Sequence, residues 1–188
     1  MEEASFYYIS GFFLTVSIES ILTVATHAYD NGKVFSMNLS AAFLSRLFKE
    51  QMMQAFPYID ILFGNETEAR EFADVHKLET KDVTEIAKLV SKFPKKSAVQ
   101  RMVVFTQGAD DVIVVQGEKV HTFPVPKLKQ EEIIDTNGAG DAFVGGFLAM
   151  YLLEKPLETC VSCGINVSVE VVKNSGCTLP DRESVHVV

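Results

Sequence analysis

Asp135-Thr136-Asn137-Gly138-Ala139-Gly140-Asp141 is the stretch whose residue types can do chemistry. Gly138, Ala139 and Gly140 have little or no side chain, so a ligand can approach their backbone N–H groups. An apolar run follows Asp141 and reads as a helix start. The first amides of a helix lack internal acceptors, and the helix dipole favours negative charge there. The stretch therefore suits an anion. Asp141 falls beside that anion, where a base would take the proton from a hydroxyl attacking phosphorus. The plainer alternative is a helix-capping turn with glycines for close packing. Ile133 and Ile134, just upstream, are expected to end a short strand.

The elements that must position this stretch are legible along the chain. Phe6 to Leu14 is aromatic and β-branched, and reads as a buried strand running into a loop at Gly11. Ser17 is a good cap for a helix over 18–29, which Asn31-Gly32 ends. Lys33 to Met37 reads as a strand and Asn38-Leu39-Ser40 as the loop after it. One helix is expected over 42–54, with Leu44, Leu47, Phe48 and Met52 on one face. Ile59 to Phe63 is a further strand. Gly64-Asn65-Glu66-Thr67-Glu68 then has helix-start chemistry, with an Asn cap and acidic residues in the first turn. That helix runs over 66–76, and another starts at Thr80 or Asp82 and continues to about Lys92. Met102 to Phe105 is a strand ending at Thr106-Gln107-Gly108. Asp111 to Val115 and Lys119 to Phe123 form a hairpin around Gln116-Gly117-Glu118. A helix follows Asp141 to about Leu153, and a last one runs from Pro156 to about Lys173. The tail from Pro180 reads as polar and loose. Strands alternating with helices predict an α/β fold with a mostly parallel sheet, and its ligand loops follow strand C-termini.

Bulk composition narrows the function classes. The chain has 188 residues, 47% of them hydrophobic and 22% charged, which is enough for one domain with a core. A net charge of -8 argues against a nucleic-acid surface. No apolar run is long enough to span a bilayer and no signal peptide is evident, so the chain reads as cytoplasmic. The three cysteines are read as reduced and packed, and the four histidines as scattered surface or packing residues. A Walker A loop is absent. Gly138-Ala139-Gly140 also fails as a dinucleotide fingerprint, because Phe143 stands where the third glycine belongs.

Asp135 to Phe143 (DTNGAGDAF) resembles the second signature of the ribokinase-like (PfkB-type) sugar and nucleoside kinases. The resemblance extends through FYYISGFFLTV at Phe6, FSMNL at Phe35, FLSRLFKEQMM at Phe43, ILFGNETEA at Ile61, FTQG at Phe105, and Gly176-Cys177-Thr178. It implies a three-layer ribokinase-like, Rossmann-type sheet with helices on both faces and a C-terminal antiparallel hairpin. It further implies phosphoryl transfer from ATP to the 5′-hydroxyl of adenosine, giving AMP for purine salvage. Asp141 is then the catalytic base, and Asn137, Gly138, Ala139 and Gly140 form the anion hole. Asn65, Thr106, Gly108, Gln130 and Asp135 line ATP. Asn65 and Glu68 organise Mg2+ through water, and a monovalent cation (K+) is implied near Asp135. Phe12 and Phe43 match aromatics that sit on adenosine; for each, plain core packing is the alternative. A monomer, with the nucleus as a second location, is implied as well.

The same resemblance covers only the C-terminal part of the family's chain. Residues 1–188 are thus expected to be a single kinase domain's nucleotide-binding part, with the N-terminal strands and the lid missing. Ala109 stands where a basic residue is frequent. Cys163, Ile165 and Val167 replace a small-residue and His pattern expected beside adenine. Ile18 and Ala42 stand where proline is usual. The readings to be separated are a kinase, a non-catalytic nucleotide-binding fragment of one, and a dinucleotide oxidoreductase.

Overall fold

In a computed structural model describing residues 2–176, the apolar runs become the strands of one six-stranded sheet, ordered β1-β2-β3-β4-β5-β6. These are β1 (Phe6–Ile9), β2 (Val34–Asn38), β3 (Ile61–Asn65), β4 (Met102–Gln107), β5 (Asp110–Gln116) and β6 (Lys119–Phe123). The first four pair in parallel, with Tyr8 opposite Ser36, Met37 opposite Leu62 and Leu62 opposite Val103. Parallel neighbours need long crossovers, and helices supply them. These are α1 (Ile18–Asp30), α2 (Ala42–Leu47), α3 (Lys49–Ala55), α4 (Glu66–Val75) and α5 (Val83–Ser91). Gly108-Ala109 and Gly117-Glu118 are the links into β5 and β6; two residues suffice only for an antiparallel return. The fold is therefore α/β with a mixed sheet. The chain ends the described residues with α6 (Ala139–Leu152) and α7 (Leu157–Val172). The expectations for Cys177-Thr178, His186 and the tail from Pro180 lie outside the described residues.

The chain divides into two compact units, Met1–Gln107 with Ile113–Thr122, and Gly108–Val112 with Phe123–Val188. In the first, consecutive residues of β3 and β4 are buried, including Ile61, Leu62 and Phe63 and the run from Val103 to Phe105. Because successive side chains point to opposite faces, both faces of these strands are covered. At the sheet edge, β1 is only half-buried at every residue, which corrects the expectation of a buried strand. An aromatic-rich sequence cannot tell an edge from a centre, because burial depends on neighbours distant in sequence.

Local signals set most helix ends. Ser17 Oγ accepts from the Ser20 N–H at 3.1 Å, and Asp82 Oδ1 from the Glu85 N–H at 2.9 Å. Ile18 and Ala42 each occupy the first helical position, where a fixed φ and a missing N–H cost nothing; this is why proline suits those two places. The helix expected over 42–54 is two helices, broken at Phe48 with φ −118° and ψ 29°. The break sets Phe48 against the core and leaves Leu47 exposed, so the expected single stripe does not form.

One buried cation ties the first unit together. Arg101 is 0% exposed and donates to five carbonyls: Ile59 at 3.1 Å, Val90 at 3.0 Å, Phe93 at 3.1 Å, Phe56 at 2.7 Å and Pro94 at 3.1 Å. Its guanidinium also lies 4.3 Å from the Phe56 ring centroid. Burial lowers its pKa to about 10, opposed by the charge of Asp60, so it is protonated at neutral pH. Phe56 in turn stacks on Phe72 at 5.4 Å, and Phe72 on His76 at 4.2 Å. Arg101→Lys offers three donors where five carbonyls need them. At about 1–3 kcal/mol for each carbonyl left unsatisfied, urea denaturation should show a loss of at least ~2 kcal/mol.

His76 supplies a second check. Burial first, and the charge of Lys49 second, hold its pKa below the ordinary value of 6.5. Its Nε2 is buried without a hydrogen-bond partner. A folded pKa below the unfolded one means that the unfolded chain binds more protons in that window. Stability should therefore be complete above about pH 6.5 and fall as pH drops from there towards the lowered value. His76→Phe should flatten that part of the stability–pH curve, measured by urea denaturation at several pH values.

Candidate functional site

In the first unit, the candidate residues all follow strand C-termini. Asn65 ends β3 and caps α4. Its side-chain oxygen accepts from the Glu68 N–H at 2.9 Å, while the Glu68 carboxylate accepts from Asn65 N–H at 3.0 Å and Nδ2 at 2.8 Å. This reciprocal capping box fixes the carboxylate although Glu68 is only 8% exposed. Gly64 leaves it room, since a Cβ there would lie 3.3 Å from Glu68 Oε2 and 3.1 Å from Leu39. Thr106, on β4, pairs in register with Asn65 and donates its hydroxyl to the Gly64 carbonyl at 3.4 Å. The structure thus brings Asn65, Glu68 and Thr106 together.

Among the described residues, no group of three or more His, Cys, Asp or Glu converges on a metal position. A dedicated protein cage is therefore not what Asn65 and Glu68 offer. A hydrated Mg2+ fits them better, because that ion keeps several waters and takes one or two carboxylates alongside substrate phosphates. A carboxylate accepts at several lone pairs, so Glu68 can keep its cap and still accept from metal-bound water.

Phe12 lies in the 3-10 turn Gly11–Thr15 after β1, and Phe43 in the first turn of α2 after β2. Their ring centroids are 6.1 Å apart with planes tilted by 55°. They are 51% and 38% exposed, which argues against plain core packing. Two adjoining, tilted aromatics with exposed faces suit a flat apolar ligand.

The second unit holds Gly108, Gln130 and the 135–141 stretch. Gly108 has φ +58° with nothing near its missing Cβ, so backbone conformation, not crowding, favours glycine there. Gln130 is exposed and opens the 3-10 turn Gln130–Glu132. The expected strand at Ile133-Ile134 does not form. The Ile134 and Asp135 amides donate to the Val172 carbonyl at 3.0 and 3.2 Å, so the end of α7 takes the bonds a sheet would have taken. Asp135 Oδ1 accepts from the Asn137 N–H at 2.9 Å and Oδ2 from the Gly176 N–H at 3.1 Å. These two bonds hold its carboxyl below the usual carboxylate range.

Gly138, in the left-handed region at φ 78°, starts α6, and no side chain caps that helix. The Ala139 N–H is engaged with the Thr136 carbonyl at 3.3 Å, and the first helical bond runs from Ala142 N–H to Gly138 O at 2.8 Å. Gly140 and Asp141 lie between them, in the first turn, where helical amides have no internal acceptor. A Cβ on Gly140 would meet nothing within 4 Å. The glycines that α6 and α7 need for packing are others. A Cβ on Gly146 would lie 2.8 Å from the Cys163 carbonyl, and one on Gly164 2.8 Å from the Phe143 carbonyl. Asp141 is exposed in the same first turn. Cys160 and Cys163 are free and buried, and burial pushes both thiols up.

Residues that sequence reasoning passed over sit beneath Phe12. Asn38 and Ser40, read only as a loop, form a hydrogen-bonded network with Ser10 and the Gly11 and Phe12 amides. The Asn-Leu-Ser sequence holds no local signal of this, because the partners lie 27 to 30 residues away.

The pfkB family carbohydrate kinase model matches residues 1–184. Adenosine kinase 2 of Arabidopsis thaliana is 52% identical over 183 residues, which are 97% of this chain and 53% of that protein. The crystal structure of Anopheles gambiae adenosine kinase in complex with P1,P4-di(adenosine-5) tetraphosphate superposes with TM-score 0.91 at 45% identity, over 96% of this chain and 55% of that one. Adenosine kinase from Schistosoma mansoni in complex with 2-fluoroadenosine gives TM-score 0.92 at 36% identity, over 97% and 54%. The chain spans about half the length of the relatives it matches.

The open space at Gly140 generates a two-sided prediction. Gly140→Ala should raise stability by up to about 1 kcal/mol, the helix-propensity difference, while weakening the binding of tripolyphosphate. Urea denaturation and isothermal titration measure the two effects on one sample.

Proposed function

The chain belongs to the pfkB family of carbohydrate kinases, and from that premise we propose that it forms the nucleotide-binding part of an adenosine kinase. The reaction is phosphoryl transfer from ATP to the 5′-hydroxyl of adenosine, giving AMP and ADP, a step of purine salvage. The observation carrying this reading is the start of α6: a left-handed Gly138, an uncapped first turn, open space over Gly140, and Asp141 beside it. Two relatives of known structure hold P1,P4-di(adenosine-5) tetraphosphate and 2-fluoroadenosine.

The roles follow from position. The first-turn amides of α6 donate to the transferring phosphoryl group as charge shifts among its oxygens. Asn137, Gly138 and Ala139 shape the loop that presents them. Asp141 accepts the proton of the attacking 5′-hydroxyl. Thr106, Gly108, Gln130 and Asp135 line ATP, and Phe12 and Phe43 take the purine face. Asn65 and Glu68 hold Mg2+ through water, and that ion neutralises phosphate charge when bound. Asp135, kept ionised by two amides, is the group that a monovalent cation would face.

A second reading has its own observation. The chain spans about half of each relative, and in-line transfer requires both substrates held about 3–3.5 Å apart in attack geometry. A fragment that binds nucleotide without turnover would satisfy the same α6 geometry.

One assay separates the readings. The purified chain is given ATP, adenosine and Mg2+, and AMP is measured beside Asp141→Asn. The kinase reading predicts turnover that the substitution lowers by about 10²–10⁴-fold. No AMP from either, with ATP still raising the unfolding temperature, leaves the non-catalytic reading standing. Equal turnover in both removes Asp141 as the base.

A further inference from the structure

Ser40 has φ 63°, in the left-handed region that L residues other than Asn, Asp and His rarely enter. Such strain persists only where the surroundings impose it, and it concentrates at functional positions. What holds Ser40 there is its hydroxyl. It donates to Asn38 Oδ1 and lies 3.0 Å from the Ser10 hydroxyl. With the Ser40 proton committed to Asn38, Ser10 is the donor of that pair. Ser40 Oγ also accepts the Phe12 N–H at 3.2 Å, a proton it shares with Ser10 Oγ at 3.4 Å. Its one proton and two lone pairs are then all in use. Asn38 Oδ1 accepts a second proton, from the Gly11 N–H at 2.8 Å. The network is closed, and it binds the turn after β1 to the turn after β2.

The same turns carry the two exposed aromatics. Phe12 follows Gly11 directly, and a Cβ on Gly11 would come within 2.3 Å of the Asn38 carbonyl, so the two loops interlock at backbone distance. On the other side, the Ala41 N–H donates to the Leu39 carbonyl at 2.8 Å, and Ala41 is the N-cap residue of α2, whose second residue is Phe43. Ser40 is thus the residue at which the chain turns from β2 towards Phe43 while holding the amide of Phe12. Burial in a core does not explain the pair, since both rings are exposed.

We propose that Ser40, with Asn38, is the positioning residue that fixes the spacing of Phe12 and Phe43 and so sets the affinity for the purine nucleoside. The inference rests on the functional reading given above. A flat purine gains most from rings already fixed in place, because ordering mobile side chains on binding costs affinity.

Ser40→Gly and Ser40→Ala test it together. Both remove the hydroxyl, but only glycine relieves the left-handed backbone. Amide hydrogen exchange at Gly11 and Phe12, adenosine affinity by NMR titration, and the unfolding midpoint are measured for each. Both variants should exchange faster at Phe12, where Ser10 Oγ is left as the longer acceptor, and bind adenosine about three- to tenfold more weakly. Ser40→Gly should nevertheless keep its midpoint within about 4 °C of the parent, while Ser40→Ala falls further. Protection at Phe12 unchanged by both substitutions overturns the proposal. So does adenosine affinity that follows stability, restored in the glycine variant. A parent chain that binds no adenosine overturns the functional reading and this proposal together, and that failure is distinguished by preceding any substitution.

Discussion

Strands β1 to β4 run the same way, so four strand C-termini reach the same C-terminal edge of the sheet, where the ladder stops and each loop must find other partners for its backbone groups. In the first unit, short polar side chains supply them. Asn38 and Ser40 take the amides of Gly11 and Phe12. The side chains of Asn65 and Glu68 satisfy each other's backbone. Thr106 reaches across to the Gly64 carbonyl. The groups that close the loops are thereby the groups that line the edge. A polar, ordered rim with two exposed aromatics is what a phosphorylated purine requires, apolar on one side and hydrogen-bonding on the other.

Stability and site are separated in both units. In the first, Arg101 collects five carbonyls from the segments that lead into β3 and β4 and lies over the Phe56 ring, which stacks on Phe72, with Phe93 tilted against both. A guanidinium suits this place because its donors are fixed in a plane and fan outward. In the second unit, Gly146 and Gly164 let α6 and α7 approach at backbone distance, whereas Gly140 touches nothing. Crowding thus requires glycine at Gly146 and Gly164 but not at Gly140. Asp135 adds a third kind of constraint, tying the loop before α6 to Gly176 through a carboxylate held ionised by amides.

Much of this was legible because it is local. Caps at Ser17, Asn65 and Asp82 are signalled within three residues, and the buried strands β3 and β4 show as unbroken apolar runs. The parts that escaped depend on distant partners. Ile133-Ile134 reads as a strand end, yet the carbonyl of Val172 takes the amides. No sequence window shows five carbonyls converging on Arg101. Phe48 breaks a helix whose apolar spacing suggested continuity. Ser40 gives no sign of a left-handed backbone, since glycine or asparagine is the usual signal for one. The glycine stretch was readable as a helix start, but not in which amides stay open, because that depends on the Thr136 carbonyl taking the Ala139 N–H.

Under the proposed function, the start of α6 receives the phosphates of ATP. Backbone amide resonances of the isotope-labelled chain, followed as Mg2+ and ATP are added, test it most directly. The Gly140 and Asp141 amides should shift most within the second unit, and Thr106 and Asn65 should shift within the first. ATP binding that leaves residues 138–141 unmoved, or that moves a different set of amides, would contradict it.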